Sequence, residues 1–496
     1  MRRVLKRFSI RSGLFSLGTM GLAIAAVANS GHMGDSDGRG RAIIPNLQPY
    51  VDPSGLVASY SANGNIDTRA AFFQSLGTNG RSCATCHVAS QAFSISVRDV
   101  RNRFVRTRGT DPLFATVDGA NCPNAQAGDE AGHSLLLKSG LIRIPIAAPS
   151  GSSQFSVDAE RDPYGCAIDT STGQQVLSFY RRPLPTTNLR FLSAIMFDGR
   201  ESAAFPLNSS ATFKSNLTTD LTTQALHAVQ THGQSSHDPT PDQLSEIVNF
   251  EMGLTTAQVW DNRAGFLAAG ANGGPMALVS QSYFPGVNDS LTPSMFSPTI
   301  FTLFDQWEEQ KHSWPSGMQR AQIAAGEKIF NSFPINITDV RGLNDNAALG
   351  KPAVIVGTCG TCHDTPNVGN HSLPVPLDIG TGHSPAYESN AQIRSALAQL
   401  SFPDLPVYRV SGCTDPFSGE NTLYTTDLGK AMLSGQCSDL NRIKGPILRG
   451  LGARAPYFHN GAAASLNELV NFYNQRFNMR LTDQQKADLI AFLNSL

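Results

Sequence analysis

Two stretches of the chain carry the same helical pattern of apolar positions. Residues 240–254 read TPDQLSEIVNFEMGL and residues 482–496 read TDQQKADLIAFLNSL. Aligned without gaps, they share threonine, glutamine, phenylalanine and leucine. Ile247, Val248, Phe250 and Leu254 fall where Leu489, Ile490, Phe492 and Leu496 fall. That spacing puts each set on one face of an amphipathic helix with a threonine N-cap. Earlier in each half, residues 68–76 (TRAAFFQSL) and 319–330 (QRAQIAAGEKIF) predict another helix. The pattern breaks between Cys86 and Asn188, a long insert rich in Gly, Pro and Asp with a β-like patch at 135–146 (LLLKSGLIRIPI). A Gly/Ser/Pro-rich stretch, 271–316, reads as the linker between two similar modules.

The start of the chain has the pattern of an address. Arg2, Arg3, Lys6, Arg7 and Arg11 precede a short apolar run, and Ala26-Val27-Ala28 supplies an A-x-A cleavage site. Residues 1–28 are therefore expected to be a signal peptide, and the mature protein to be periplasmic. The 496 residues suffice for two or three domains. Charged residues make up only 16%, with a formal charge of −1, which gives no electrostatic reason to expect nucleic acid as a partner.

Four of the eight cysteines stand in CATCH (Cys83, Cys86, His87) and CGTCH (Cys359, Cys362, His363). In a CxxCH motif both thiols can add to haem vinyl groups while the histidine meets the iron. Two such motifs predict two covalently bound haems c, with His87 and His363 as proximal ligands. Cys122, Cys166, Cys413 and Cys437 remain, with three pairings open. The local pairing, Cys122–Cys166 and Cys413–Cys437, keeps each bridge inside its own half, and export would let both form.

Two further segments carry a family likeness. PLPTTNLRFLSAIMFDGRE (183–201) resembles the stretch of the bacterial dihaem cytochrome c peroxidases that ends in F-W-D-G-R. LRGLGARAPYFHNG (448–461) resembles their L-R-N-x-x-x-T-x-P-Y-F-H-x-G segment. The resemblance implies a mainly α fold: two helical c-type haem domains with long loops, at 45–270 and 317–496. The first would carry a disulfide-containing insert at 100–180. It implies hydrogen peroxide as substrate of the N-terminal haem and electron transfer at the C-terminal haem. The electron donor would be a small cytochrome or copper protein, and a homodimer fits the family.

Site residues follow from the same resemblance. Tyr473 aligns with the methionine that ligates the C-terminal haem of the peroxidases. A tyrosine there is similar to MauG, which oxidises a partner protein, and phenolate stabilises ferric and higher states. Met479 is the alternative ligand. Calcium would be bound by the Asn188 side chain and the carbonyls of Arg454 and Pro456. His459 would line the C-terminal haem pocket. Phe197 replaces the tryptophan between the haems. Gln224 matches a distal glutamine, whereas Gln234 stands where the family has its acid–base glutamate. His232 is the leading replacement for that acid–base group, with His227 and His133 behind it. A non-catalytic dihaem electron carrier, with His133 as a distal ligand, is the competing reading, and a dihaem oxygenase a third.

Overall fold

Both closing helices form where the apolar pattern places them. Thr240 caps the helix Pro241–Gly253 and Thr482 caps Asp483–Asn494, each through a capping box with a glutamine three residues on. The computed structural model describes residues 43–149, 151–202, 210–283, 285–291, 296–309 and 316–496; the expected signal peptide lies outside them. Among the described residues no helix is long and apolar enough to cross a membrane.

The chain is not mainly α. Among the described residues helix makes up 32% and strand 16%, in five small sheets, so the fold is mixed. The physical reason lies in short β-branched runs whose partners are far away in sequence. Directly after Gly253 the chain turns into the strand Leu254–Asp261, which pairs antiparallel with Gly55–Ser61. The β-like patch splits in two. Ser134–Ser139 is helical, Gly140 ends it at φ 62°, and Ile142–Ala147 pairs with Val176–Arg181. The helix expected at 68–76 shrinks to one 3-10 turn, Ala71–Phe73. No side chain caps it, and Ala71 N–H donates instead to Glu246 Oε2 at 2.8 Å. Phe72 of that turn meets Phe250 of the closing helix at 4.6 Å between ring centroids.

In the second half, Ser316–Ser332 crosses Asp483–Asn494 so closely that a Cβ on Gly326 would overlap the Asp488 carbonyl. Phe330 and Phe492 pack at 5.8 Å beside this crossing. Phe301, Phe304 and Trp307, from the Gly/Ser/Pro-rich stretch, are fully buried in the same core. Each such side chain contributes roughly 2 kcal/mol by burial.

The insert does not stand alone. Its strand Ser156–Arg161 pairs with Val407–Ser411 of the second half, which pairs in turn with Thr422–Thr425. Tyr408, fully buried, donates its hydroxyl to the Ser178 carbonyl at 2.6 Å. Disulfides Cys122–Cys166 and Cys413–Cys437 staple the two contributions, in the local pairing.

Candidate functional site

The two CxxCH motifs fold alike because their local sequences are alike. Ser82 and Thr358 cap one-turn 3-10 helices, Cys83–Thr85 and Cys359–Thr361, through capping boxes with Thr85 and Thr361. The amides of His87 and His363 donate to the carbonyls of Cys83 and Cys359, at 3.0 and 3.1 Å. Each imidazole is then fixed by the carbonyl six residues on. Nδ1 of His87 lies 3.2 Å from Phe93 O, and Nδ1 of His363 lies 2.6 Å from Gly369 O. This leaves Nε2 of His363 for a ligand, while the Leu184 backbone also bonds the His87 ring. Outer contacts fix the turns: Arg103 donates to the Thr85 carbonyl at 2.6 Å, and Ser290 to that of Thr361 at 2.7 Å.

All four motif cysteines are outside the disulfides. Burial pushes the thiols of Cys83, Cys359 and Cys362 up to about 12, and that of Cys86 in the same direction. Burial also pushes the imidazole of His87 down to about 4 and that of His363 downward, so both are neutral at pH 7.

Each motif opens on its own apolar cavity, which offers about 180 Å³ to water centres at the first motif and about 220 Å³ at the second. One wall is common to both: Arg182, Pro183, Leu184, Pro185, Phe197, Lys444 and Ile447 border both spaces. Phe197 is thus placed between the motifs, edge-on to His459 at 6.0 Å. Lys444 N–H donates to the Phe197 carbonyl at 2.7 Å, and burial pushes its ammonium down to about 8. Asp198 of the same F-D-G-R segment is fully buried between Arg181 (2.5 Å) and Arg200 (2.7 Å). Arg181 also forks onto Asp427 of the second half at 2.7 and 2.9 Å.

The first cavity holds the polar groups suited to moving protons. Gln224 and His232, on and just after the helix Ser210–Thr231, both line it. Asp118 pairs with His232 Nδ1 through one carboxylate oxygen and with Arg81 through the other. Burial alone would raise the Asp118 carboxyl, but His232 and Arg81 together hold it below its usual range. Glu251 is also there, 3% exposed, with Oε2 unpartnered, and burial pushes its carboxyl up to about 8. The other candidates are elsewhere. His133 is saturated, with Asp129 O 2.6 Å from Nδ1 and Phe114 O 2.9 Å from Nε2, so it has no nitrogen left for a ligand. His227 is half-exposed beside Glu201, and Gln234 is exposed beside Asn79.

The second cavity is lined by Tyr473, on the helix Leu466–Arg476, and by Met479 and His459. Burial raises the Tyr473 phenol, and the two nearby thiols add to the shift. His459 is buried with neither ring nitrogen hydrogen-bonded and Nε2 3.7 Å from Asp427 Oδ2, and burial pushes it down to about 4 against the pull of Asp427. Arg454 and Pro456 border this cavity as well, whereas Asn188 is buried against the strand Leu254–Asp261.

Sequence reasoning missed Asp118, Arg81, Glu251, Lys444 and Arg182. Only Arg81, two residues before Cys83, carried a positional signal. Asp118 is 114 residues from its His232 partner, and no local pattern marks it.

No family model matches the chain. It is 38% identical over 78 residues to cytochrome-c peroxidase IdrP2 of Denitromonas iodatirespirans, covering 14% of this chain and 21% of that protein. It is 30% identical over 115 residues to cytochrome-c peroxidase IdrP1 of Pseudomonas sp. (strain SCT), 19% of this chain and 29% of that one. A third stretch, 69 residues at 35% identity, matches cytochrome-c peroxidase IdrP1 of Denitromonas iodatirespirans, 12% of this chain and 18% of the relative. The chain thus spans less than a third of the length of each relative. These short stretches support a relation to the cytochrome c peroxidases.

Proposed function

We propose that the protein is an exported dihaem c-type oxidoreductase that reduces hydrogen peroxide at the Cys83–Cys86–His87 site. The observation that carries this reading is an inequality between two similar cavities. Both offer a CxxCH turn, half-buried protonated thiols and a neutral imidazole with Nδ1 anchored, which suits covalent haem. Only the first is bordered by Asp118 and His232.

Haem bound at each motif supplies the redox chemistry, and the protein supplies attachment, ligands and protons. Cys83, Cys86, Cys359 and Cys362 would form thioethers to the haems, and His87 and His363 would hold the iron. Reduction of one peroxide to two waters takes two electrons and two protons. His232 is held by Asp118, with Arg81 behind, as a base that becomes an acid, and Gln224 orients the peroxide. Tyr473 would serve as a ligand to haem iron at the second site, where an anionic oxygen donor would favour oxidised iron. Phe197 and its neighbours in the common wall separate the two centres. A small cytochrome or copper protein is the electron donor, with a partner protein oxidised directly as the second route.

The test is optical spectroscopy and stopped-flow kinetics on the haem-loaded protein. The wild type is expected to hold two haems per chain and to react with stoichiometric peroxide. His232→Ala and Asp118→Asn are each expected to slow that reaction by about 10² or more. Tyr473→Phe should abolish a tyrosinate charge-transfer band that Met479→Leu leaves intact. Two low-spin haems that ignore peroxide would leave an electron carrier instead.

A further inference from the structure

The family resemblance implies a calcium ion between the modules, and two of its three expected donors, the Asn188 side chain and the Arg454 carbonyl, are engaged otherwise. Asn188 Oδ1 accepts from Thr256 N–H at 3.1 Å while Nδ2 donates to the Thr256 carbonyl at 2.9 Å, which closes the amide on the strand. The Arg454 carbonyl accepts from Arg182 Nη2 at 3.3 Å. Calcium takes six to eight oxygens, carboxylates among them. Here two buried guanidinium groups, of Arg182 and Arg454, adjoin the site instead. These residues do not fit the ion.

We propose that the Arg182 guanidinium is the resident cation of this site, tethering the two CxxCH modules in the place of a metal. Its donors end on backbone carbonyls from three parts of the chain. Nη1 donates to Gly140 O at 2.9 Å and, more weakly, to Ser139 O at 3.4 Å. Nη2 donates to Ile95 O as well as to Arg454 O. The Arg182 amide donates to the His459 carbonyl at 2.6 Å. Ile95 follows the first CxxCH, Ser139 and Gly140 belong to the insert, and Arg454 and His459 belong to the second half.

Carbonyl oxygens serve a guanidinium as they serve a hard metal, by turning the negative ends of their dipoles on it. The planar fork adds a fixed geometry that a spherical ion lacks. The cradle is shaped for the fork: at Gly140, with φ 62°, any Cβ would overlap Arg182 Nη1. Burial, and then the Arg454 charge, oppose the cation, and both would oppose a divalent ion more strongly. Arg182 also borders both cavities, so it is one side chain common to both.

The test uses the full-length, haem-loaded protein. After equilibration with calcium and gel filtration, elemental analysis is expected to find no stoichiometric calcium. A chelator is expected to leave melting temperature and peroxide reaction unchanged. Arg182→Ala, which strands the carbonyls, is expected to lower the melting temperature by about 5 °C or more. It should also uncouple the sites, so that reducing one haem no longer alters the spectrum of the other, with methylguanidinium restoring both properties. One tightly held calcium per chain, whose removal lowers the wild-type melting temperature, overturns the proposal even if the variant fails to fold. So does an Arg182→Ala protein with wild-type stability and coupling. Only the coupling readout rests on the dihaem reading; the calcium and chelator measurements stand without it.

Discussion

Glu251 shows how much a single buried group can control. Its carboxyl is 3% exposed and lifted to about 8 by burial, from an ordinary 4.5. The unfolded chain releases this proton near 4.5, whereas the native protein keeps it until about 8. Glu251 therefore does not oppose folding below pH 4.5, and its penalty grows as pH rises to 8, reaching at most roughly 5 kcal/mol. Glu251→Gln removes the titration. The variant should gain melting temperature over the wild type at pH 8 to 9 and little at pH 5; parallel profiles would show that Glu251 is ionised in the native state. At this scale the sequence was legible wherever chemistry is local. Two CxxCH turns can be read because five adjacent residues define each of them. The Arg81–Asp118–His232 constellation cannot be, because folding brings its members together from three distant places.

At the scale of elements, the closing helices were legible because capping box and apolar face lie within fifteen consecutive residues. Strands were not. Gly55–Ser61 acquires its partner only when Leu254–Asp261 arrives, and alternation over so few residues resembles a loop. The expected helix at 68–76 failed for the opposite reason: its aromatic residues are used for packing on Phe250 rather than for a helical face. Where Ser316–Ser332 crosses Asp483–Asn494, close approach depends on Gly326. Gly326→Val should force the helices apart and cost about 2–4 kcal/mol, read by chemical denaturation. A wild-type midpoint would mean that the crossing is looser than the contact at Asp488 indicates.

For the whole molecule, the sequence suggested two modules with an appendage on the first. The insert and residues 407–440 share one core, in which Leu177 and Phe179 meet Tyr408, Val410 and Leu428. That arrangement was illegible because neither contribution buries enough apolar surface alone to leave a recognisable pattern. The Arg181 fork from Asp198 to Asp427 ties the same regions by charge. Replacing both Cys413 and Cys437 by serine opens a bridge spanning 24 residues and should cost about 3 kcal/mol. Its effect should appear in the unfolding of the entire chain, since the stapled strand neighbours the insert; a loss confined to one half would separate the two.

The strand Ser156–Arg161 has a consequence in time as well as in space. Asp158 and its neighbour Arg409 are 251 residues apart, so the strand is synthesised long before its partner exists. Until then its edge is an unpaired row of amides and carbonyls, exposed to any other extended chain. Of the two staples, Cys122–Cys166 can close during that wait, whereas Cys413–Cys437 cannot. The order of the chain thus gives the first bridge the earlier opportunity to close.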